Sequence, residues 1–552
     1  MYHSRLLSLS LLPAVSYTQL APIDVREATI SSLHGSLYSR LTTCRDIVSA
    51  FVARIERFNP SINAIIALNP DALEIADGLD EALSRGNTTG PLFCIPILLK
   101  DNYDALPMPT TGGCLALNAS KPTHDSPTVA ALRRAGAVIL GKSNLHELAL
   151  EGLSVSSLGG QTLNPYDFAR TPGGSSGGTG AAIAASFAVF GTGTDTVNSL
   201  RSPASANSLF SFRPTRGLIS RAGVVPISYT QDTVGAIGRS VVDIATALTV
   251  MAGVGYDPAD NVTSAIPPSV AGADYTSFLA PGTPTSLNGT RIGVLEGFFN
   301  RTSSNETDPV NQAMDHVIVM LRSQGATVIN ITDTSTYNAT AISAQMDVQQ
   351  LEYREMLSAY LSSPNLTGIH PATMPELYHT KHEFVVSPAQ YSYVETALRS
   401  STANSSYSAR QTLIANLTRA LHATIVSNRL DCLIYPEQKN LVVPVGSPSQ
   451  SGRNGILAAL TGSPVITVPV GFSPSTASAP IGIPIGMEIL GLPWTEGPLL
   501  RLAQGFDDRL HARRMPVTNG LNATVEVTSA YTEIPHITPL KNIPSVYPLG
   551  VY

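Results

Sequence analysis

Residues 94–99 read CIPILL, an unbroken apolar run that stops at Lys100. A run this short, apolar at odd and even positions alike, fits a strand buried on both faces better than a surface helix. Similar runs return in RIGVLEGFF, DCLIYPEQ, SPVITVPVGF and PIGMEILGL, each readable as a buried strand. Helical patterns fall between such runs. In CRDIVSAFVARIERFNP, Ile47, Phe51, Ile55 and Phe58 share one helical face, with Pro60 expected just past the end. SPTVAALRRAGAVILGKSNLHELAL reads as helix, short strand AVIL, loop and helix, and FAVFGTGTDT reads as a strand running into a turn. Alternation of this kind predicts an α/β architecture.

The 552 residues are many for one domain, yet no internal repeat and no long polar linker divides them. The simplest reading is a single domain over residues 17–515. It carries inserted surface loops or lid elements near 255–290 and 360–410, where Pro, Ser and Thr accumulate, and a tail over 516–552. Residues 1–16 read as a signal peptide. His3 and Arg5 precede the apolar run Leu6 to Val15, Ala14-Val15-Ser16 offers a small-residue cleavage site, and Pro13 argues against a buried first helix. The run is too short to span a bilayer, so a secreted protein without stable membrane insertion is expected.

Twelve N-x-S/T sequons agree with export: Asn87, Asn118, Asn261, Asn288, Asn300, Asn305, Asn330, Asn338, Asn365, Asn404, Asn416 and Asn522. The four cysteines, Cys44, Cys94, Cys114 and Cys432, permit at most two disulfides, and Cys94, inside its apolar run, also reads as a plain buried thiol. A net charge of −6 without a basic tract argues against nucleic acid. Neither C-x-x-C nor H-E-x-x-H occurs, so a metal site lacks support.

The stretch TPGGSSGGTGAAIAAS, residues 171–186, invites three readings. It matches the G-x-S-x-G turn of a nucleophilic serine, but NPYDFARTP before it is too charged and Pro-rich for a central strand. A phosphate-binding loop would need G-K-[ST] after the glycines, where Thr179-Gly180 stands. A helix start capped by Ser175 or Ser176 is the plain structural reading, and it does not exclude catalysis.

Downstream lies GTGTDTVNSLRSPAS, in which Ser199 follows Ser175 by 24 residues, and upstream lies CIPILLKDN with Lys100. With these three phrases in order, the chain resembles the amidase signature family of serine hydrolases, over roughly residues 40–508. The resemblance implies a large mixed, twisted β-sheet covered on both sides by α-helices. It also implies a triad of Lys100, Ser175 and Ser199, with a cis peptide bond between Gly174 and Ser175. Thr196, Val197, Asn198 and Ser199 would supply oxyanion-binding N–H groups, and Ser176, Asp195 and Arg201 would support the nucleophile loop. A small-molecule amide is the implied partner, no cofactor is implied, and homodimer formation stays open. Lys142, the nearest competitor to Lys100, reads as structural or pocket-lining.

Amide hydrolysis needs an activated nucleophile, a proton for the departing amine and donors for the oxyanion. An apolar wall such as CIPILL can lower a lysine from its usual value near 10.4 and make a neutral amine available as base. One departure from the family stands out: Val197-Asn198 replaces Gly-Gly before the nucleophile. A Val at positive φ would be strained, whereas Asn tolerates it. Two alternatives to an active amidase therefore stand beside it, a weakened amide-binding relative and the glutaminase-like subunit of a transamidating complex. Substrate identity is not legible, and pocket residues are expected from 103–125, 150–162 and the insertions.

Overall fold

The computed structural model describes residues 23–88, 90–380, 382–527 and 531–550. The expected signal peptide at 1–16 lies outside the described residues. An 11-stranded mixed sheet forms the centre. Its strands are β1 (Ile65–Leu68), β2 (Ile95–Lys100), β3 (Ala137–Ser143), β4 (Phe190–Asp195), β5 (Phe210–Arg213), β6 (Thr233–Gly238), β7 (Arg291–Leu295), β8 (Thr327–Ile331), β9 (Cys432–Pro436), β10 (Val465–Phe472) and β11 (Pro484–Leu490). They lie in the order β1-β3-β2-β4-β6-β5-β10-β11-β9-β7-β8. Helices flank the sheet, so the expected α/β class and layer arrangement hold.

CIPILL forms an interior strand, third from one edge of this sheet. Ile95, Ile97, Leu98 and Leu99 have no exposed surface, because β2 runs parallel to both β3 and β4 and helices cover the layer. At the other end of the sheet, β7 is parallel to β8 and β9, and antiparallel pairings join the two regions through β6, β5, β10 and β11. The buried apolar residues form one large cluster around the sheet and smaller clusters beside it.

Several local expectations change. The helix Cys44–Ile62 carries Pro60 inside its last turn instead of beyond it, and Asn63, at φ 57° and ψ 47°, terminates the helix. Cys94 is not a plain thiol, since it bridges to Cys44, while Cys114 and Cys432 are buried and unbridged. The helix read in SNLHELAL shrinks to the single 3₁₀ turn Glu147–Ala149, because Leu148 and Ala149 take positive φ where the Leu148 N–H reaches the Gly112 carbonyl. The stretch 360–410 is not an open loop. It includes helices Met374–His379 and Tyr391–Arg399, whose Met374, Leu377, Tyr378, Val394 and Ala397 share an apolar cluster with Leu148 and Val225. No helix among the described residues is long and apolar enough to cross a membrane.

Candidate active site

Parallel neighbours β2 and β4 bring their carboxyl ends together, which places Lys100 beside Thr194 and Asp195. The Lys100 side chain is fully buried, and its Nζ donates to Ser175 Oγ and to Thr194 Oγ1, both at 2.7 Å. Its backbone N–H donates to Thr192 Oγ1 at 3.2 Å, so alternate threonines of β4 hold the end of β2. Burial pushes the Lys100 ammonium down to about 7, against the pull of the Asp195 and Asp232 carboxylates toward the charged form. Lys142 is held elsewhere, donating to Asp101 and to the Tyr103 and Pro109 carbonyls.

Ser175 follows a cis peptide bond from Gly174, and its carbonyl accepts from the His146 N–H at 2.9 Å. The capping reading needs correction. Ser176 occupies the N-cap position of helix Gly177–Ala184 without a side-chain capping bond, and its hydroxyl instead donates to the Thr194 carbonyl at 3.4 Å. The Ser176 N–H donates to the Ser199 carbonyl at 3.3 Å, which joins the glycine stretch to the loop after β4. The glycines permit this closeness: a Cβ on Gly178 would lie 2.1 Å from the Asn144 carbonyl oxygen.

After β4 the chain turns through Thr196, Val197, Asn198 and Ser199 into helix Arg201–Ala206. Arg201 fixes that turn. Its Nε and Nη2 donate to the two Asp195 oxygens at 3.0 Å, and its Nη1 spans both Glu488 oxygens at 2.9 and 2.8 Å. Arg201 also donates to the Val197 and Gly455 carbonyls, and Arg213 adds a 2.8 Å contact to Asp195. Burial alone would raise the Asp195 carboxyl, but the Arg201 and Arg213 guanidiniums hold it down at about 2.

Neither Val197 nor Asn198 takes positive φ, so the strain considered for Val197 does not arise. Asn198 Nδ2 donates to Glu437 Oε1 at 3.2 Å, and Thr196 Oγ1 donates to Asp232 Oδ1 at 2.6 Å. Among the described residues, the backbone N–H groups of Val197, Asn198 and Ser199 make no hydrogen bond within the protein. Gly455 packs against the same turn, where a Cβ would lie 2.2 Å from the Val197 carbonyl oxygen. Sequence reading missed Thr194, Asp232, Glu437, Gly455 and Glu488. Thr194, Glu437 and Glu488 lie within phrases read only as strands or turns, while Asp232 and Gly455 come from segments not singled out.

Ser199, Thr196 and Val197 line a cavity of about 500 Å³, whose far walls include Ser343, Tyr393 and Lys439. Thr194 and Thr196 also line a second cavity of about 320 Å³, with Val225, Ile227, Met356 and Tyr360. Glu151 and Tyr393 fall within the segments expected to form a pocket, and the wall from Lys439 to Ile456 does not.

The chain and its fold have counterparts. The family model Amidase matches residues 46–500. A protein named "Probable amidase" from Arabidopsis thaliana is 30% identical over 504 residues, covering 89% of this chain and 92% of its own. A glutamyl-tRNA(Gln) amidotransferase subunit from Thermoanaerobacter pseudethanolicus is 29% identical over 511 residues, covering 88% and 97%. Among solved structures, native peptide amidase from Stenotrophomonas maltophilia superposes with a TM-score of 0.76 at 31% identity, covering 89% of this chain and 99% of that one.

Proposed function

The chain belongs to the amidase signature family, and on that premise we propose that it is a secreted amidase that hydrolyses a linear carboxamide through an acyl-Ser199 intermediate. The observation that carries the reading is the 2.7 Å contact between Ser175 Oγ and a fully buried Lys100 amine. Burial brings that amine to about 7, so a large share of it is neutral near pH 7 and free to take a proton.

In the proposed reaction Ser199 Oγ attacks the amide carbonyl while its proton passes to Ser175 Oγ, and the Ser175 proton passes to Lys100 Nζ. The tetrahedral oxyanion is met by backbone N–H groups of Thr196, Val197, Asn198 and Ser199, each such donor being worth about 3 to 4 kcal/mol in the transition state. Collapse breaks the C–N bond, and the proton returns from Lys100 through Ser175 to the departing nitrogen. Water then repeats the sequence on the acyl ester, releasing the acid and restoring Ser199.

Asp195 and Arg201 are positioning residues in this scheme, since they hold the turn that carries Ser199. The reading of a weakened relative rested on the Val197-Asn198 pair, and the absence of positive φ at either residue removes the strain from that argument and favours an active site. Export is supported by the Cys44–Cys94 bridge and by the sequons. Each sequon asparagine is exposed except Asn338, which is half-buried and caps helix Ala339–Met346. These features also weigh against membership of a transamidating complex.

A fluorophosphonate probe tests the assignment. The purified protein is expected to be labelled, and Ser199→Ala is expected to lose the label. Equal labelling of both would remove Ser199 as the nucleophile.

A further inference from the structure

Beyond Pro436 the chain leaves β9 and doubles back, so that Gln438 pairs with Arg453 and the Lys439 N–H donates to the Gly452 carbonyl at 2.9 Å. This return forms one wall of the 500 Å³ cavity that Ser199 lines, contributing Lys439, Gln450, Gly452 and Arg453. The wall is tied to the helix that follows Ser199, because Ser202 Oγ donates to Gln438 Oε1 at 2.9 Å with both residues buried. The Lys439 backbone is thereby joined, through Gln438 and Ser202, to the segment that follows Ser199.

The other charges lining the cavity are already matched. Glu151 accepts from the Gly152 and Gln450 N–H groups and pairs with Arg453, which cancels that guanidinium. Asp347 accepts from the Gln349 backbone N–H at 3.1 Å and from Gln349 Nε2 at 2.6 Å, and burial pushes its carboxyl up. Lys439 alone among these forms no ion pair and no side-chain hydrogen bond within the described residues. Burial pushes its ammonium down, the mark of a cation short of a partner.

We infer that Lys439 receives a carboxylate of the substrate, so that the amides this site hydrolyses best carry an acidic group on the arm lying in that cavity. The inference rests on the amidase reading and deepens it. A carboxylate there would turn a half-buried, unmatched cation into a charge-assisted pair and would fix the register of the scissile bond over Ser199.

The test is a matched substrate series on the full-length protein. Monoamides of dicarboxylic acids from succinamate to suberamate are compared with fatty amides of equal length, and N-hexanoylglycine is compared with N-hexanoylpropylamine. The readout is the ratio of kcat/KM for the acidic member to that for its neutral match, so any general loss of activity cancels. In wild type the ratio is expected to peak at one chain length, at about tenfold or more, the scale of one charge-assisted hydrogen bond. Lys439→Met is expected to bring it near unity, Lys439→Arg to retain it, and Lys439→Glu to move the preference to 6-aminohexanamide. A wild-type ratio near unity at every length and on both arms, or a ratio that survives Lys439→Met, would overturn the inference and leave the amidase reading standing. Absence of turnover for every neutral and acidic member would instead overturn the amidase reading beneath it.

Discussion

Replacing Lys100 with Met should abolish turnover and, below neutrality, make the protein more stable. The fold binds a proton on Lys100 only below about 7, whereas the unfolded chain binds one below 10.5. Between those values the unfolded state holds more protons, so the lysine's contribution to stability rises with pH across that window. Below about 7 the whole penalty of a buried ammonium is present. A difference of about 3.5 pH units, at about 1.4 kcal/mol each, makes it about 5 kcal/mol. Met escapes that penalty but leaves the Ser175 and Thr194 hydroxyls without the amine, at a cost of about 1 to 3 kcal/mol. The net expectation at pH 6 is a gain of about 2 to 4 kcal/mol, or a melting point higher by about 2 to 3 °C for a chain this long. At pH 10 the penalty has nearly gone, and the same variant should be less stable than wild type by up to about 2 kcal/mol. Urea denaturation at both pH values, with thermal melts beside it, measures the reversal. A variant destabilised equally at pH 6 and pH 10 would refute the idea that burial holds Lys100 neutral, and with it the source of the proposed base.

The wild-type kcat/KM should rise through pH 7 and fall about tenfold per unit below it, a profile that Ser176→Ala should leave centred at the same value. Gly455→Ala would drive a Cβ against the Val197 carbonyl and Asn198, so about a 100-fold loss of kcat/KM is expected with the far-ultraviolet circular dichroism intact. Arg201→Met would leave Glu488 buried without its cation and Asp195 with Arg213 alone, and should cost about 3 to 5 kcal/mol in urea denaturation. Opening the Cys44–Cys94 bridge, which closes a loop across 50 residues, should cost about 4 kcal/mol, read by comparing Cys44→Ser with wild type without reductant.

What the sequence made legible was local. Six apolar residues before Lys100 need both faces of a strand covered, so CIPILL marked a buried interior strand without any tertiary information. The phrases around Ser175 and Ser199 marked the two loops that meet at the end of β2. Partners contributed from far along the chain left no such mark. Glu437 meets Asn198 and Glu488 meets Arg201 only after the sheet has brought β9 and β11 across, and an isolated Glu in an apolar strand carries no trace of its mate. Two misreadings share a cause. SNLHELAL has helical spacing, but contacts to Gly112 override it at Leu148, and the Ser- and Pro-rich stretch 360–410 hides apolar residues that find a core only against Leu148 and Val225.

The grip of Arg201 also sets a timetable. Its bidentate partner Glu488 lies 287 residues further along the chain. A growing polypeptide will have emerged with Lys100, Ser175 and Ser199 complete long before the residue that braces their turn has been added. On the amidase reading, such a chain would carry all three groups through most of its synthesis without the ion pair that braces their turn, which forms only once β11 joins the sheet.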